Sequence, residues 1–211
     1  KKFSKSISLV VLANPNSPTG TIIDHHLLKK IIAETNKREI PIVIDEAYYG
    51  FYKFTCINYL KRYKNLIILR TFSKASGLAG LRAGYIITGE KISKNLFKYR
   101  PMYEINSISC LAIEQVIKNK SISKFHISQV NKSKKYLINE LTKMKYNYLN
   151  THGNFFHIDL KKNKLKFEKI LKKNKILTRK GPGVKGFENY LRFSLGSVSQ
   201  MKKVIQLLKS L

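Results

Sequence analysis

The sequence predicts an α/β protein: a mostly parallel sheet within residues 1–120, then a smaller α+β domain over residues 121–211. Three observations carry that prediction. Short apolar runs alternate with stretches of helical periodicity through the first half. Turn-rich segments directly follow the apolar runs, and after residue 120 the pattern changes to long helices and isolated strands.

Taken in order, Ile7–Ala13 reads as a strand and Asp24–Asn36 as a helix with Asp24 at its N-cap. Ile42–Asp45 is a second strand, followed by a short helix near Cys56–Tyr63. Asn65–Thr71 and Ala83–Thr88 are further strands, and Glu90–Tyr99 is helical. The longest apolar runs, Leu9–Ala13 and Leu66–Leu69, read as buried strands and are far too short to span a membrane. Ser107–Lys118 and Ser121–Met144 are helices, the second long enough to bridge two domains. Asn154–Leu160 is a strand in which polar His157 and Asp159 alternate with apolar neighbours. Leu165–Asn174 (helix), Asn189–Leu195 (strand) and Ser199–Leu211 (helix) close the chain. No internal repeat interrupts the series.

Composition narrows the function. The formal charge of +29 suggests polyanion binding, but 34 Lys stand against 7 Arg and are dispersed along the chain. Readers of nucleic acid favour Arg and gather it on one face. The lysine excess therefore reads as solvated helix surface, with no specific nucleic-acid partner expected. Cys56 and Cys110 have neither metal-ligand spacing nor a partner in sequence, which suits a reducing, cytoplasmic setting. His25, His26, His126, His152 and His157 form no ligand set, so surface or packing duties are expected of them. The opening of the chain, with neither Met nor a signal peptide before the first strand, leads us to expect a piece of a longer protein.

Chemistry concentrates in the segments beside the strands. Asn14-Pro-Asn-Ser-Pro-Thr-Gly20 follows the first, Asp45-Glu-Ala-Tyr48 the second, and Thr71-Phe-Ser-Lys-Ala-Ser-Gly77 the third; Leu78-Ala-Gly-Leu-Arg82 runs into the next strand. In a parallel sheet, loops at the carboxyl ends meet in one crevice. Each residue alone has a plain explanation: a solvated Lys74, a turn-forming Asp45, a capping Ser73, an Arg82 paired with a carboxylate. Their conjunction is the informative feature.

That conjunction resembles the fold-type I, pyridoxal-phosphate-dependent aminotransferases, and is most similar to the histidinol-phosphate aminotransferase group. The segments 14–20, 45–48 and 73–85 agree in order and spacing, including the eight residues from Lys74 to Arg82. Tyr190-Leu-Arg-Phe-Ser-Leu-Gly196 is similar to the family's carboxylate-binding strand, so the likeness covers essentially the whole chain. The resemblance implies the sheet of the large cofactor-binding domain, incomplete at its N-terminus, plus an interdomain helix and small C-terminal domain.

The resemblance also implies roles. Lys74 carries pyridoxal 5'-phosphate as a Schiff base and then moves the substrate proton. Asp45 pairs with the pyridinium nitrogen, and Tyr48 donates to the ring's phenolic oxygen. Ser73 and Arg82 bind the phosphate, with Thr71 as a further contact. Arg192 clamps the substrate carboxylate, and Arg179 contacts a substrate phosphate. Where most relatives have an asparagine before Pro-Thr-Gly, this chain has Ser17, so the contact to the phenolic oxygen is either lost, bridged from Ser17 by water, or taken over by Asn16. The Ser17–Pro18 bond is expected to be cis.

The implied reaction is amino transfer between an amino acid or amine, histidinol phosphate first among them, and a 2-oxo acid such as 2-oxoglutarate. The implied assembly is a homodimer, with Tyr103 as a residue lent to the partner's site. Two readings of other kinds stay open: a decarboxylase of a phosphorylated amino acid built on the same Lys74 and Asp45, and an inactive remnant kept as a binding module.

Overall fold

The computed structural model describes residues 6–211. The chain divides into two compact units, residues 6–16 with 22–123, and residues 17–21 with 124–211.

The first unit is built on a four-stranded sheet: β1 (Val10–Ala13), β2 (Ile42–Asp45), β3 (Leu66–Thr71) and β4 (Gly84–Thr88), in that spatial order. Pairings β1–β2 and β2–β3 are parallel, while β3–β4 is antiparallel. The sheet is thus mostly parallel, as its apolar strands predict. Alternation sets its faces. Ile42, Ile44, Leu66 and Ile68 point to one side and form a core with Leu28 and Ile32 of α1 (His25–Lys37). Asp24 caps α1, its carboxylate accepting from the amides of His26 and Leu27. Bonds to the Leu27 amide hold the Asp24 carboxyl below its ordinary range. The unit also contains α2 (Glu90–Phe97) and α3 (Ser107–Lys118).

Two expectations need correction here. The run Leu9–Ala13 is buried on one face only: Val10 and Leu12 pack on the core, while Val11 is 59% exposed and Leu9 51%. The second face is closed only farther along the sheet, where β3 keeps Ile67 buried between the core residues Leu66 and Ile68. The helix near Cys56–Tyr63 is a single 3-10 stretch, Ile57–Lys61.

In the second unit, α4 (Lys120–Lys143, from residue 124 onward) and α6 (Val198–Lys209) accompany α5 (Lys164–Lys173) and an antiparallel sheet. That sheet is ordered β5-β6-β8-β7, with β5 (Tyr148–Leu149), β6 (Phe155–Asp159), β7 (Arg179–Lys180) and β8 (Tyr190–Ser194). Phe156, Ile158, Leu191 and Phe193 line its buried face; Phe167, Leu171, Val204 and Leu208 supply the buried side chains of α5 and α6. Ser197 opens α6 with a reciprocal capping box to Gln200.

Candidate active site

The parallel strands end together. Register places Asp45, the last residue of β2, between Ala13 of β1 and Leu69 of β3. Alternation turns its side chain away from the face of Ile44 and the α1 core. Oδ1 of Asp45 accepts from the Ala47 amide at 2.8 Å; Oδ2 accepts no hydrogen bond among the described residues. A half-buried carboxylate pinned by one oxygen presents the other in a fixed direction.

The next residue anchors this turn. Glu46 is 3% exposed, and its Oε2 takes Arg70 Nη2 at 2.9 Å and Nε at 3.1 Å, with the Thr55 hydroxyl at 2.8 Å. Oε1 accepts from the Cys56 amide at 2.6 Å. Arg70 in turn donates to Thr55 Oγ1 and lies 3.6 Å from the Tyr49 ring centroid. Burial opposes its charge, but bonds to Glu46 and Tyr85 prevail, so Arg70 holds its proton above the usual range. Motif reading gave Glu46 and Arg70 no role. The only sequence signal was an acid directly beside Asp45 in a stretch too apolar to leave it unpaired.

The segment from Thr71 to Gly84 supplies the rest. Because β4 runs antiparallel to β3 and Thr71 pairs with Gly84, both ends of this segment sit at the end of the sheet that carries Asp45. Leu78–Arg82 leads directly into the next strand, as its sequence predicts; that strand, β4, runs antiparallel to β3 rather than parallel, and its reversal is what brings Arg82 to the same end. Gly84 makes the junction possible, since a Cβ there would lie 2.7 Å from the Arg70 carbonyl oxygen. Thr71 Oγ1 donates to the Ala83 carbonyl and accepts from the Ser73 amide, fixing the turn that carries Ser73 and Lys74. Lys74 is half-buried, with Nζ 5.4 Å from the ring centroid of buried Tyr48. Arg82 is exposed, sits in the left-handed region at φ 53°, and donates to the Ala79 carbonyl. A non-glycine residue held there is a local strain of the kind found at functional sites. Neither Lys74 nor Arg82 has an ion-pair partner among the described residues.

The first loop is split between units. Asn14 is buried and accepts from the Ile23 amide through Oδ1 at 2.9 Å. Half-buried Asn16 belongs to the first unit, exposed Ser17 to the second. The Ser17–Pro18 bond is cis, as expected, and so is Asn14–Pro15. Gly20 has φ 77°, and a Cβ on it would fall 2.2 Å from Thr151 Cβ.

Arg192 lies on β8 of the second unit. Its cross-strand partners are His157 on β6 and Arg179 on β7, so the three side chains form a row on one face of the sheet. The structure therefore brings together Asp45, Tyr48, Thr71, Ser73, Lys74 and Arg82 in one unit, and Arg192 with Arg179 in the other. Tyr103 is 89% exposed. Of the surface or packing duties expected of the histidines, His157 has the second: it is fully buried. Among the described residues no group of His, Cys, Asp and Glu is arranged to hold a metal ion, and no helix is long and apolar enough to cross a membrane.

Residues 1–208 match the family described as aminotransferase class I and II. Histidinol-phosphate aminotransferase 1 of Carboxydothermus hydrogenoformans is 36% identical over 198 residues, 94% of this chain and 55% of that protein. The chain thus spans little more than half the length of that relative. Among solved structures, the histidinol-phosphate aminotransferase from Clostridium acetobutylicum superposes with a TM-score of 0.86 at 24% identity, covering 96% of this chain and 63% of the other. A histidinol-phosphate aminotransferase from Sinorhizobium meliloti, solved with pyridoxal-5'-phosphate, gives 0.80 at 24% identity, covering 96% and 58%. These two likenesses establish the fold.

Proposed function

Given that the chain belongs to the class I and II aminotransferases, we propose that it is the catalytic part of a pyridoxal-phosphate-dependent enzyme. Its reaction moves an amino group between an amine or amino acid, histidinol phosphate foremost, and a 2-oxo acid such as 2-oxoglutarate. The observation that carries this reading is the meeting of an amine, an acid and a phenol at one sheet end. Lys74 Nζ stands 5.4 Å from the Tyr48 ring, and the neighbouring Asp45 keeps one carboxylate oxygen unengaged among the described residues.

The donor set fits the cofactor. Asp45 offers an acceptor for a ring N–H, Tyr48 a phenol for the ring hydroxyl, and Lys74 an amine for the aldehyde. Ser73 and Arg82 offer a hydroxyl and an exposed guanidinium fork for phosphate oxygens. Thr71 contributes by fixing the Ser73 amide rather than by a free proton, since its hydroxyl is given to Ala83. Asn16 and Ser17 remain the pair from which the ring oxygen would take a further hydrogen bond. When bound, the cofactor supplies an electron sink for the charge left as the substrate's α-proton departs.

Within that frame the residues divide the work. Lys74 accepts the proton and returns it, which requires a half-buried amine without a carboxylate partner. Asp45, adjacent in the chain to the buried Glu46–Arg70 pair, would hold the ring N–H and favour its protonated form. Arg192 orients the substrate carboxylate and Arg179 a substrate phosphate; adjacent guanidinium groups on neighbouring strands repel each other unless an anion lies between them. Division into residues 1–120 as a cofactor-binding domain and 121–211 as bridging helix and small domain belongs to the same proposal. So does a homodimer, which the exposed Phe97, Tyr99, Met102 and Tyr103 favour.

The test is product analysis. With cofactor, histidinol phosphate and 2-oxoglutarate, the protein is expected to form glutamate in step with loss of the amine. Release of carbon dioxide from a phosphorylated amino acid, without glutamate, contradicts amino transfer.

A further inference from the structure

His157 is fully buried on β6, directly opposite Arg192, and its ring meets Phe155 edge-on at 5.6 Å. Nε2 lies 2.9 Å from the Pro18 carbonyl oxygen. A carbonyl can only accept, so Nε2 carries the proton and Nδ1 holds a lone pair. Nδ1 is buried and has no hydrogen-bond partner. A second proton there would find no acceptor and would bring positive charge beside Arg192, the charged group facing it from β8. Residues facing it from β5 and from the loop, Leu149 and Pro18, carry no charge. Chemistry and surroundings thus fix both the tautomer and the charge.

The atom that His157 holds belongs to the Ser17-Pro18-Thr19-Gly20 turn. That turn is fixed at a second point, where the His152 amide donates to the Gly20 carbonyl at 2.9 Å and Gly20 is seated on Thr151. We propose that His157 is a positioning residue: its neutral imidazole, donating from Nε2 to Pro18, fixes the 17–20 turn against the strand pair that carries Arg192. Loss of that bond frees the turn beside the anion-binding arginine and weakens substrate orientation without touching proton transfer at Lys74. The inference rests on the transaminase reading for its kinetic consequence, but not for its geometry.

The test compares the wild-type protein with His157→Gln, which keeps a donor at the Nε2 position, and His157→Leu, which keeps only bulk. Nitrogen NMR of the wild-type imidazole at pH 7 is expected to show a protonated Nε2 and a bare Nδ1; the other tautomer or a doubly protonated ring overturns the proposal. Hydrogen exchange at the His152 amide, which reports the turn through Gly20, is expected to rise about tenfold in His157→Leu, the scale of one net hydrogen bond. It should stay within about threefold of wild type in His157→Gln, with Leu171 and Val204 amides unchanged in both. Equal acceleration of turn and core amides makes His157 a packing residue and overturns the proposal, as does no acceleration at all. In steady-state kinetics, His157→Leu is expected to raise KM for 2-oxoglutarate about tenfold with kcat held within about twofold; a fall in kcat at unchanged KM overturns it. Absence of amino transfer in the wild type refutes the transaminase reading alone, because the NMR and exchange results decide the positioning role by themselves.

Discussion

Glu46 and Arg70 form a buried ion pair, Oε2 to Nη2 at 2.9 Å, with side chains only 2% and 10% exposed. It lies directly behind the residue proposed to face the cofactor ring. A carboxylate so far from water is tolerated because both of its oxygens are engaged, by Arg70, Thr55 and the Cys56 amide. The pair thus ties Glu46, the residue after Asp45, to β3 and to the Thr55–Cys56 segment.

Removing one partner is expected to cost more than removing both. Arg70→Met alone leaves Glu46 buried and unpaired and should destabilise the protein by about 3 kcal/mol, while the double variant with Glu46→Gln should recover a large part of that loss. Urea unfolding of the two singles and the double measures the coupling. Simple additivity of the two changes contradicts the account.

Gly20→Ala should be costly for two separable reasons, a φ of 77° and a Cβ placed 2.2 Å from Thr151 Cβ. Gly183→Ala isolates the first reason: φ there is 72°, with nothing within 4 Å of the new Cβ. We expect about 1 kcal/mol for the Gly183 change, from backbone strain alone, and about 1–3 kcal/mol more for Gly20. Equal losses in chemical denaturation would remove the packing argument for the 17–20 turn.

Burial, and then the nearby Arg192 charge, pull the His157 imidazole below its ordinary value of 6.5, against the opposing effect of its bond to Pro18. With the folded value below the unfolded one, the unfolded chain binds the extra proton first. The stabilisation from His157 is therefore complete above pH 6.5 and is lost as pH falls through the folded value. His152 is shifted in the same direction by burial, so the comparison must be with a variant. Stability of His157→Gln should fall less steeply than wild type between pH 6.5 and 5; parallel curves contradict the assignment.

Much of this was legible in the sequence because it depends on local pattern. The apolar run at Ile42–Asp45, the Asp24 cap and the turn formers of Asn14–Gly20 each declare themselves within a few residues. The cluster of Asp45, Tyr48 and Lys74 was legible because strand ends collect loops. Other features depend on which strand lies beside which. The direction of β4 is set by its pairing with β3, and the run Ala83–Thr88 reads the same either way. β5 and β7 are two residues long, too short for any period. The sequence leaves His157 open between surface and packing duty, because its partner, the Pro18 carbonyl, lies 139 residues away in the chain. The Glu46–Arg70 pair spans 24 residues and two strands, which no local pattern can reveal.

The central claim, that Lys74 is the amine which bonds the cofactor, is tested most directly by covalent trapping. The protein is mixed with pyridoxal 5'-phosphate, reduced with borohydride, digested and mapped by mass spectrometry, beside Lys74→Ala. With 34 lysines in the chain, scattered surface labelling provides an internal background. The account predicts near-stoichiometric adduct at Lys74, with only that background in the variant. Label spread evenly over surface lysines, equal in both proteins, would contradict it.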